Sequence, residues 1–202
     1  MSPEDIHHFW FAEALSAPAT AGQRMAFWFK ASRETDQLIA QRFAQILEEA
    51  GRGLLDDWEA QPRACLALVI VLDQFPRNMH RSRAKAFEHD TQALAVTKRG
   101  IAAGYLPTLH TLEQAFFLMP FQHCENLGCQ REGVTRFEQL VEQAPEAWRD
   151  LAEGMLRSAR LHLEIIERFA RFPHRNRIVG RVSTAAEEAY LESDGVSFGQ
   201  RA

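Results

Sequence analysis

Ala64-Cys-Leu-Ala-Leu-Val-Ile-Val-Leu72, followed by Asp73-Gln-Phe-Pro76, is the segment on which the fold class turns. It is apolar on every face, so its pattern suits a buried strand as well as a buried helix. The surroundings favour helix: apolar residues recur at helical spacing on both sides, and no second strand exists to pair with it. A lone strand would leave its backbone N–H and C=O groups unpartnered. Gln61 to Gln74 is therefore expected to be a central helix covered on all sides, ended by Pro76 because the residue before a proline is pushed out of helical geometry.

Upstream, Ser2 caps a helix with Pro3 in its first turn, Glu4 and Asp5 near the positive dipole end, and Ile6, Phe9 and Trp10 facing inward. Ala17 to Gly22 reads as a small-residue loop and Phe27-Trp28-Phe29 as a second apolar anchor. Ser32 to Ala50 then carries Leu38, Ile39, Phe43, Ile46 and Leu47 at helical spacing, with Gly51 as the stop.

Downstream, Ala84 to Ala103 is expected as a helix with Phe87, Leu94 and Ile101 inward, closed by Gly104. Leu109 to Glu125 continues the pattern through Leu112, Phe116 and Met119, with Pro120 expected to kink or break it. Val134 to Ala144 is shorter. Pro145 opens the longest helix, running to about Phe169 with Trp148, Leu151, Met155, Ala159, Leu163 and Ile166 as its stripe. Ser183-Thr184 before Glu187-Glu188 has the form of a capping box for a last helix through Leu191, and residues 193–202 read as a flexible tail. The expectation is one all-α domain over residues 1–202, an array of antiparallel helices joined by short loops. No clean repeat period is present, but Phe75-Pro-Arg-Asn78 and Phe172-Pro-His-Arg-Asn176 echo one another, as if one local device were used twice.

Composition narrows the function. With 202 residues, 46% hydrophobic and 25% charged, the chain suits one soluble domain. A net charge of −4 argues against a general nucleic-acid binder. The start Met1-Ser-Pro-Glu-Asp has neither the basic residues nor the apolar run of a signal or transit peptide, and Ala64 to Leu72 is far too short for a membrane span. Cys65, Cys124 and Cys129 lack CxxC spacing and read as reduced thiols of a cytoplasmic protein. No P-loop, GxGxxG or nucleophile elbow appears, so no cofactor is expected.

Against that acidic background Arg168-Phe-Ala-Arg-Phe-Pro-His-Arg-Asn-Arg-Ile-Val-Gly-Arg181 holds five arginines and a histidine with no carboxylate. Read as a site, Arg171, His174, Arg175, Asn176 and Arg181, with Arg77 and Asn78 from the echoed motif, would bind an anion through forked guanidiniums and amides. Read as structure, the same arginines pair with Asp73, Glu125 and other inward acids and fasten the loops. The two readings carry equal weight. Asp73, at the C-terminal end of an apolar helix, needs a partner such as Arg77, Arg81 or Arg175. His123 and His162 fall on apolar helical faces, where a histidine is usually a satisfied core residue. Together with Glu125 and Asp73 they could instead form a polar floor beneath the arginines. A metal set of His123, Glu125 and His162 has no recognised spacing and ranks well below anion binding.

These motifs carry a resemblance. Leu72-Asp-Gln-Phe-Pro-Arg-Asn78, Met119-Pro-Phe-Gln-His-Cys-Glu125, Arg168-Phe-Ala-Arg-Phe-Pro-His-Arg-Asn176, Val179-Gly-Arg181 and Ser183-Thr184 resemble the signature blocks of a bacterial family of uncharacterised proteins, as do Phe9-Trp-Phe11, Trp28-Phe29, Asp36 and Arg42-Phe43. The resemblance implies an all-helical fold of the tetratricopeptide-like superfamily and no particular activity. Departures are Cys124 for a serine, His80 with Arg83 after Asn78, and Ala170 for a glycine, which suggests that position 170 does not need a positive φ. The first functional expectation is binding of a small anionic molecule or peptide carboxylate in an Arg/His-lined pocket. An enzyme using His162 or His123 as acid/base with Glu125 or Asp73 as orienter is the alternative, and a protein-binding scaffold is a third.

Overall fold

The computed structural model describes residues 1–193 and 195–200, and every regular element among them is a helix, so the all-α array forms. None of these helices is long and apolar enough to cross a membrane. α1 (Pro3–Phe11) is capped as expected: Ser2 Oγ accepts the Asp5 N–H at 3.3 Å and Asp5 Oδ2 accepts the Ser2 N–H at 2.8 Å. α2 (Pro18–Phe29) occupies what the sequence suggested was a loop, because Pro18 presets the first turn and the small residues after it are mostly alanine, the best helix former. α3 (Arg33–Gly51) starts at the Ser32 cap.

The central segment is a helix, and residues 65–76 are buried without exception. Pro76 does not end it. α4 (Pro62–Val69) widens into a π turn over Ile70–Gln74, in which the Phe75 N–H bonds the Ile70 carbonyl, and continues as α5 (Phe75–Met79). The proline ring would clash with the carbonyl four residues earlier in a regular helix, and the wider turn relieves that clash.

The expected helix over 84–103 is divided into a single 3-10 turn (Ala84–Phe87) and α6 (Asp90–Ala102). α6 buries Ala93, Val96, Thr97 and Gly100, with the expected Leu94 and Ile101 half-buried against the core and Phe87 in the preceding turn. Close approach to α7 (Thr111–His123) explains the choice of small residues, since a Cβ on Gly100 would lie 2.5 Å from Phe117 Cζ. α7 runs on through Pro120 to His123, buried over most of its length. α8 (Leu127–Gln143) begins well before the expected Val134, at Asn126, whose Oδ1 accepts the Cys129 N–H at 3.0 Å. Gly128 and Gly133 conceal that start in the sequence. Gly133 is there for packing, because its Cβ would lie 2.6 Å from Phe121 Cβ.

α9 (Glu146–Phe169) is the longest helix and α10 (Ala185–Ser193) the last, the latter opened by a Thr184–Glu187 capping box. Ala170 ends α9 in the left-handed region at φ 58°, so position 170 does need a positive φ, contrary to expectation. α1 and α6 flank α4, α3 covers α5, and α8 packs along both α7 and α9. The echoed motifs differ in backbone, one lying in α5 and the other in a 3-10 turn (Pro173–Arg175). Residues 195–200, expected within a flexible tail, turn back onto the body, where Gln200 is buried; Asp194, Arg201 and Ala202 lie outside the described residues.

Candidate functional site

The π turn, α2, α5, α7 and α9 line a cavity of about 570 Å³. The turn carries Asp73, which is 0% exposed and held on all sides. Its Oδ1 accepts the Nδ1–H of His123 at 2.7 Å, and its Oδ2 accepts from Gln74 Nε2 at 2.6 Å. Arg77 donates to the Asp73 carbonyl at 2.6 Å and sits 3.4 Å from Oδ1. From α9, His162 donates its Nδ1–H to the Ser158 carbonyl at 2.8 Å, with its ring centroid 6.1 Å from that of His123.

Burial governs the charge on both rings. It pushes His123 below the ordinary histidine value, helped by Arg77 and outweighing the pull of Asp73. It drives His162 down to about 3, with His123 and Arg175 acting the same way. Both imidazoles are therefore neutral near pH 7. Burial pushes the Asp73 carboxyl up, but His123, Arg77 and the Gln74 amide together outweigh it, and the group stays ionised. With Nδ1–H committed on each ring, the two Nε2 atoms are lone-pair acceptors without hydrogen-bond partners among the described residues.

A second cavity, of about 340 Å³, is lined by Asp90, Cys124, Glu125, Arg175 and Arg181. Here the charges neutralise one another. Glu125 accepts from Arg181 at 2.6 and 2.9 Å and from the Phe172 N–H at 2.8 Å. Arg175 donates to Asp90 Oδ2 at 3.1 Å and lies over the rings of Phe87 and Phe172. Arg77 takes the other Asp90 oxygen at 2.8 Å, so one carboxylate ties the walls of the two cavities together.

The residues singled out from sequence are thus divided. His123, His162, Arg77 and Asn78 line the larger cavity, with Asp73 buried behind His123, and Glu125, Arg175 and Arg181 line the smaller one. Arg171 grips Glu187 at 2.6 and 2.7 Å, and Asn176 donates to Ser183 Oγ at 3.1 Å, which fastens the approach to α10. Asn78 donates to Asp36 at 3.0 Å. His174 is buried against Phe172 and Phe198 and pushed down to about 3 by burial, then by Arg175. Each of the arginines proposed as anion ligands therefore meets a carboxylate of its own chain. Among the described residues no group of three His, Cys, Asp or Glu is placed to hold a metal.

Sequence reasoning missed Gln74, Asp90, Ser158 and the 198–200 segment, all of which line one cavity or the other. Asp90 looks like an ordinary first-turn acid, and nothing in the last residues signals a return to the core.

Comparison with known proteins agrees with this fold. A solved structure of a protein of unknown function from Agrobacterium tumefaciens is 32% identical, covering 94% of this chain and 96% of that one, with a TM-score of 0.77. No curated protein matches. The description "Bacterial protein of unknown function (DUF924)" matches residues 6–195, which takes in the central helix, both histidines and the arginine loop. The chain belongs to the DUF924 family of bacterial proteins.

Proposed function

We propose that the larger cavity binds a small acidic molecule with an apolar body. The observation that carries this reading is a cavity with an apolar wall of Trp28, Phe29, Met119 and Met155 and guanidiniums at its edge, into which the Asp73–His123 pair presents His123 Nε2 as an acceptor for a donor on the ligand's body. Three guanidiniums face the cavity, Arg77, Arg81 and Arg157: Arg77 is paired with Asp73 and Asp90, and Arg81 holds Asp36 at 2.6 and 2.7 Å but keeps Nη1 turned toward the cavity. Arg157 is the least committed of the three, with its Glu153 contact at 3.7 Å and most of its side chain exposed. The arginine loop then supports the pocket instead of contacting the ligand. Free Cys65, Cys124 and Cys129 support a reducing, cytoplasmic setting. Packing of chain neighbours, α7 on α8 and α8 on α9, supports reading the array as tetratricopeptide-like.

The test is a thermal-shift series of carboxylic acids of increasing apolar size on wild type and Met155→Trp, which fills the cavity. Acids with an aromatic or branched body should raise the melting temperature of wild type and not of the variant. Equal shifts in both, or none in wild type, would reject the site.

The same pair favours a second reading. A carboxylate holding the Nδ1–H of a histidine leaves Nε2 as a general base, so His123 with Asp73 as orienter is the arrangement an acid–base enzyme would use. His123→Ala would then abolish turnover while leaving affinity for the acid within a few-fold.

A further inference from the structure

Residues 195–200 leave α10 and cross the larger cavity, where Phe198, Gly199 and Gln200 form part of the lining. The Phe198 ring stacks on His162 with centroids 3.8 Å apart and planes 20° from parallel. The Gly199 carbonyl accepts from Arg81 at 3.1 Å. The Gln200 side chain accepts the Ser82 N–H at 2.8 Å and donates to the Arg77 carbonyl at 2.8 Å. An aromatic ring on the imidazole and an oxygen on an arginine are what an aromatic acid would present there.

Side chains more than backbone hold this strap: Phe198 also packs against Phe172 and His174, and the Val196 N–H donates to Tyr190 Oη at 3.3 Å. Among the described residues its backbone forms one backbone–backbone hydrogen bond, from the Gln200 N–H to the Ser197 carbonyl at 2.8 Å. Phe198 and Gly199 both have left-handed backbones, at φ 47° and 75°, a conformation unfavourable for phenylalanine. Segments with few backbone bonds open at low free-energy cost. The family match ends at Gly195, so residues 196–200 lie past the matched residues while the rest of the cavity lining lies within them.

Resting on the cavity as the ligand site, we propose that residues 195–200 are an autoinhibitory plug, latched by Gln200, which a planar aromatic acid must displace to stack on His162 and reach Arg81. Apparent affinity is then the intrinsic affinity multiplied by the fraction of molecules with the strap released. Weakening the latch raises that fraction.

The test uses 8-anilinonaphthalene-1-sulfonate, a flat aromatic anion whose fluorescence reports burial, on the full chain as wild type, Gln200→Ala, Phe198→Ala and Gln200→Ala/Met155→Trp. Near-UV circular dichroism confirms that each variant keeps native packing. Gln200→Ala and Phe198→Ala should bind the probe at least five-fold more tightly than wild type, and adding Met155→Trp should abolish the gain. Hydrogen exchange at the Ser82 amide, which Gln200 caps, should speed up when the probe binds wild type. Equal affinity in wild type and Gln200→Ala, with binding still blocked by Met155→Trp, would overturn the plug and leave the cavity reading standing. Binding indifferent to Met155→Trp, or no binding to any variant, would overturn both.

Discussion

Asp73 Oδ1 lies 2.7 Å from His123 Nδ1, joining the π turn to the end of α7 across fifty residues of chain. The contact sets which nitrogen of His123 carries the proton, and so what the cavity can do. An amide in place of the carboxylate can present its NH₂ to the ring. Asp73→Asn should therefore move the His123 proton from Nδ1 to Nε2, which ¹⁵N chemical shifts of the ring would detect. Asp73→Ala, which leaves Arg77 without that buried partner, should cost about 3 kcal/mol in urea unfolding. Retention of the Nδ1–H tautomer in Asp73→Asn would show that the carboxylate does not orient the ring.

Acid should weaken the fold well above the carboxylate range. Burial holds His162 and His174 near 3, against an ordinary value of 6.5. Between those values the unfolded chain binds protons that the folded chain does not, so stability falls as pH falls, by up to about 1.4 kcal/mol per pH unit for each ring. His123 is depressed as well and acts in the same direction. Asp73 and Glu187, both near 2 in the folded chain, begin to lose their contribution as pH falls through their ordinary values of 3.8 and 4.5. Urea titrations between about pH 5.5 and 6.5 lie above that loss and report mainly on the histidines. His174→Leu should show a shallower slope there, by up to about one proton's worth, or 1.4 kcal/mol per pH unit.

Periodicity made the helices legible, because a buried stripe leaves its spacing in the chain, as in α3 and α9. It failed where backbone geometry adapts to one residue: the π turn that absorbs Pro76, and the left-handed cap at Ala170. It also failed at Gly133, where a glycine marks close packing against Phe121 inside α8 and not a boundary before Val134. The site was half legible. Asp73, His123 and His162 are visible as polar residues on apolar faces, which demand partners. Their separation from Glu125 depends on which side of the Arg77–Asp90–Arg175 bridge each side chain falls, and spacing along a chain does not encode that.

Ala170 caps α9 at φ 58°, where a Cβ crowds the following carbonyl. Glycine has no such penalty but loses more freedom on folding. The first effect is the larger, so Ala170→Gly should stabilise the chain by about 0.5–1 kcal/mol, read as a rise in the urea midpoint at constant slope. A fall in the midpoint would mean that the Ala170 methyl makes contacts worth more than its strain.

Asp90 holds Arg77 with one oxygen at 2.8 Å and Arg175 with the other at 3.1 Å. Both guanidiniums are largely buried, with side chains 14% and 9% exposed, so losing the shared carboxylate leaves Arg175 without its ion pair and Arg77 with Asp73 alone. Asp90→Ala should therefore cost about 3–5 kcal/mol. Arg175→Leu removes one of those charges while keeping apolar volume beside Phe87 and Phe172, and should cost less. In the double variant Arg175 is no longer left unpaired, so the combined cost should fall short of the sum by about 1 kcal/mol or more. Arg175→Lys should not rescue the fold, since an ammonium keeps the charge but loses the flat face that lies over the two rings, 4.3 and 4.6 Å from their centroids. The Arg77 carbonyl also receives the Gln200 latch. If the bridge positions Arg77, Asp90→Asn should speed hydrogen exchange at the Ser82 amide, while unchanged exchange would confine the bridge to holding α6 against the arginine loop.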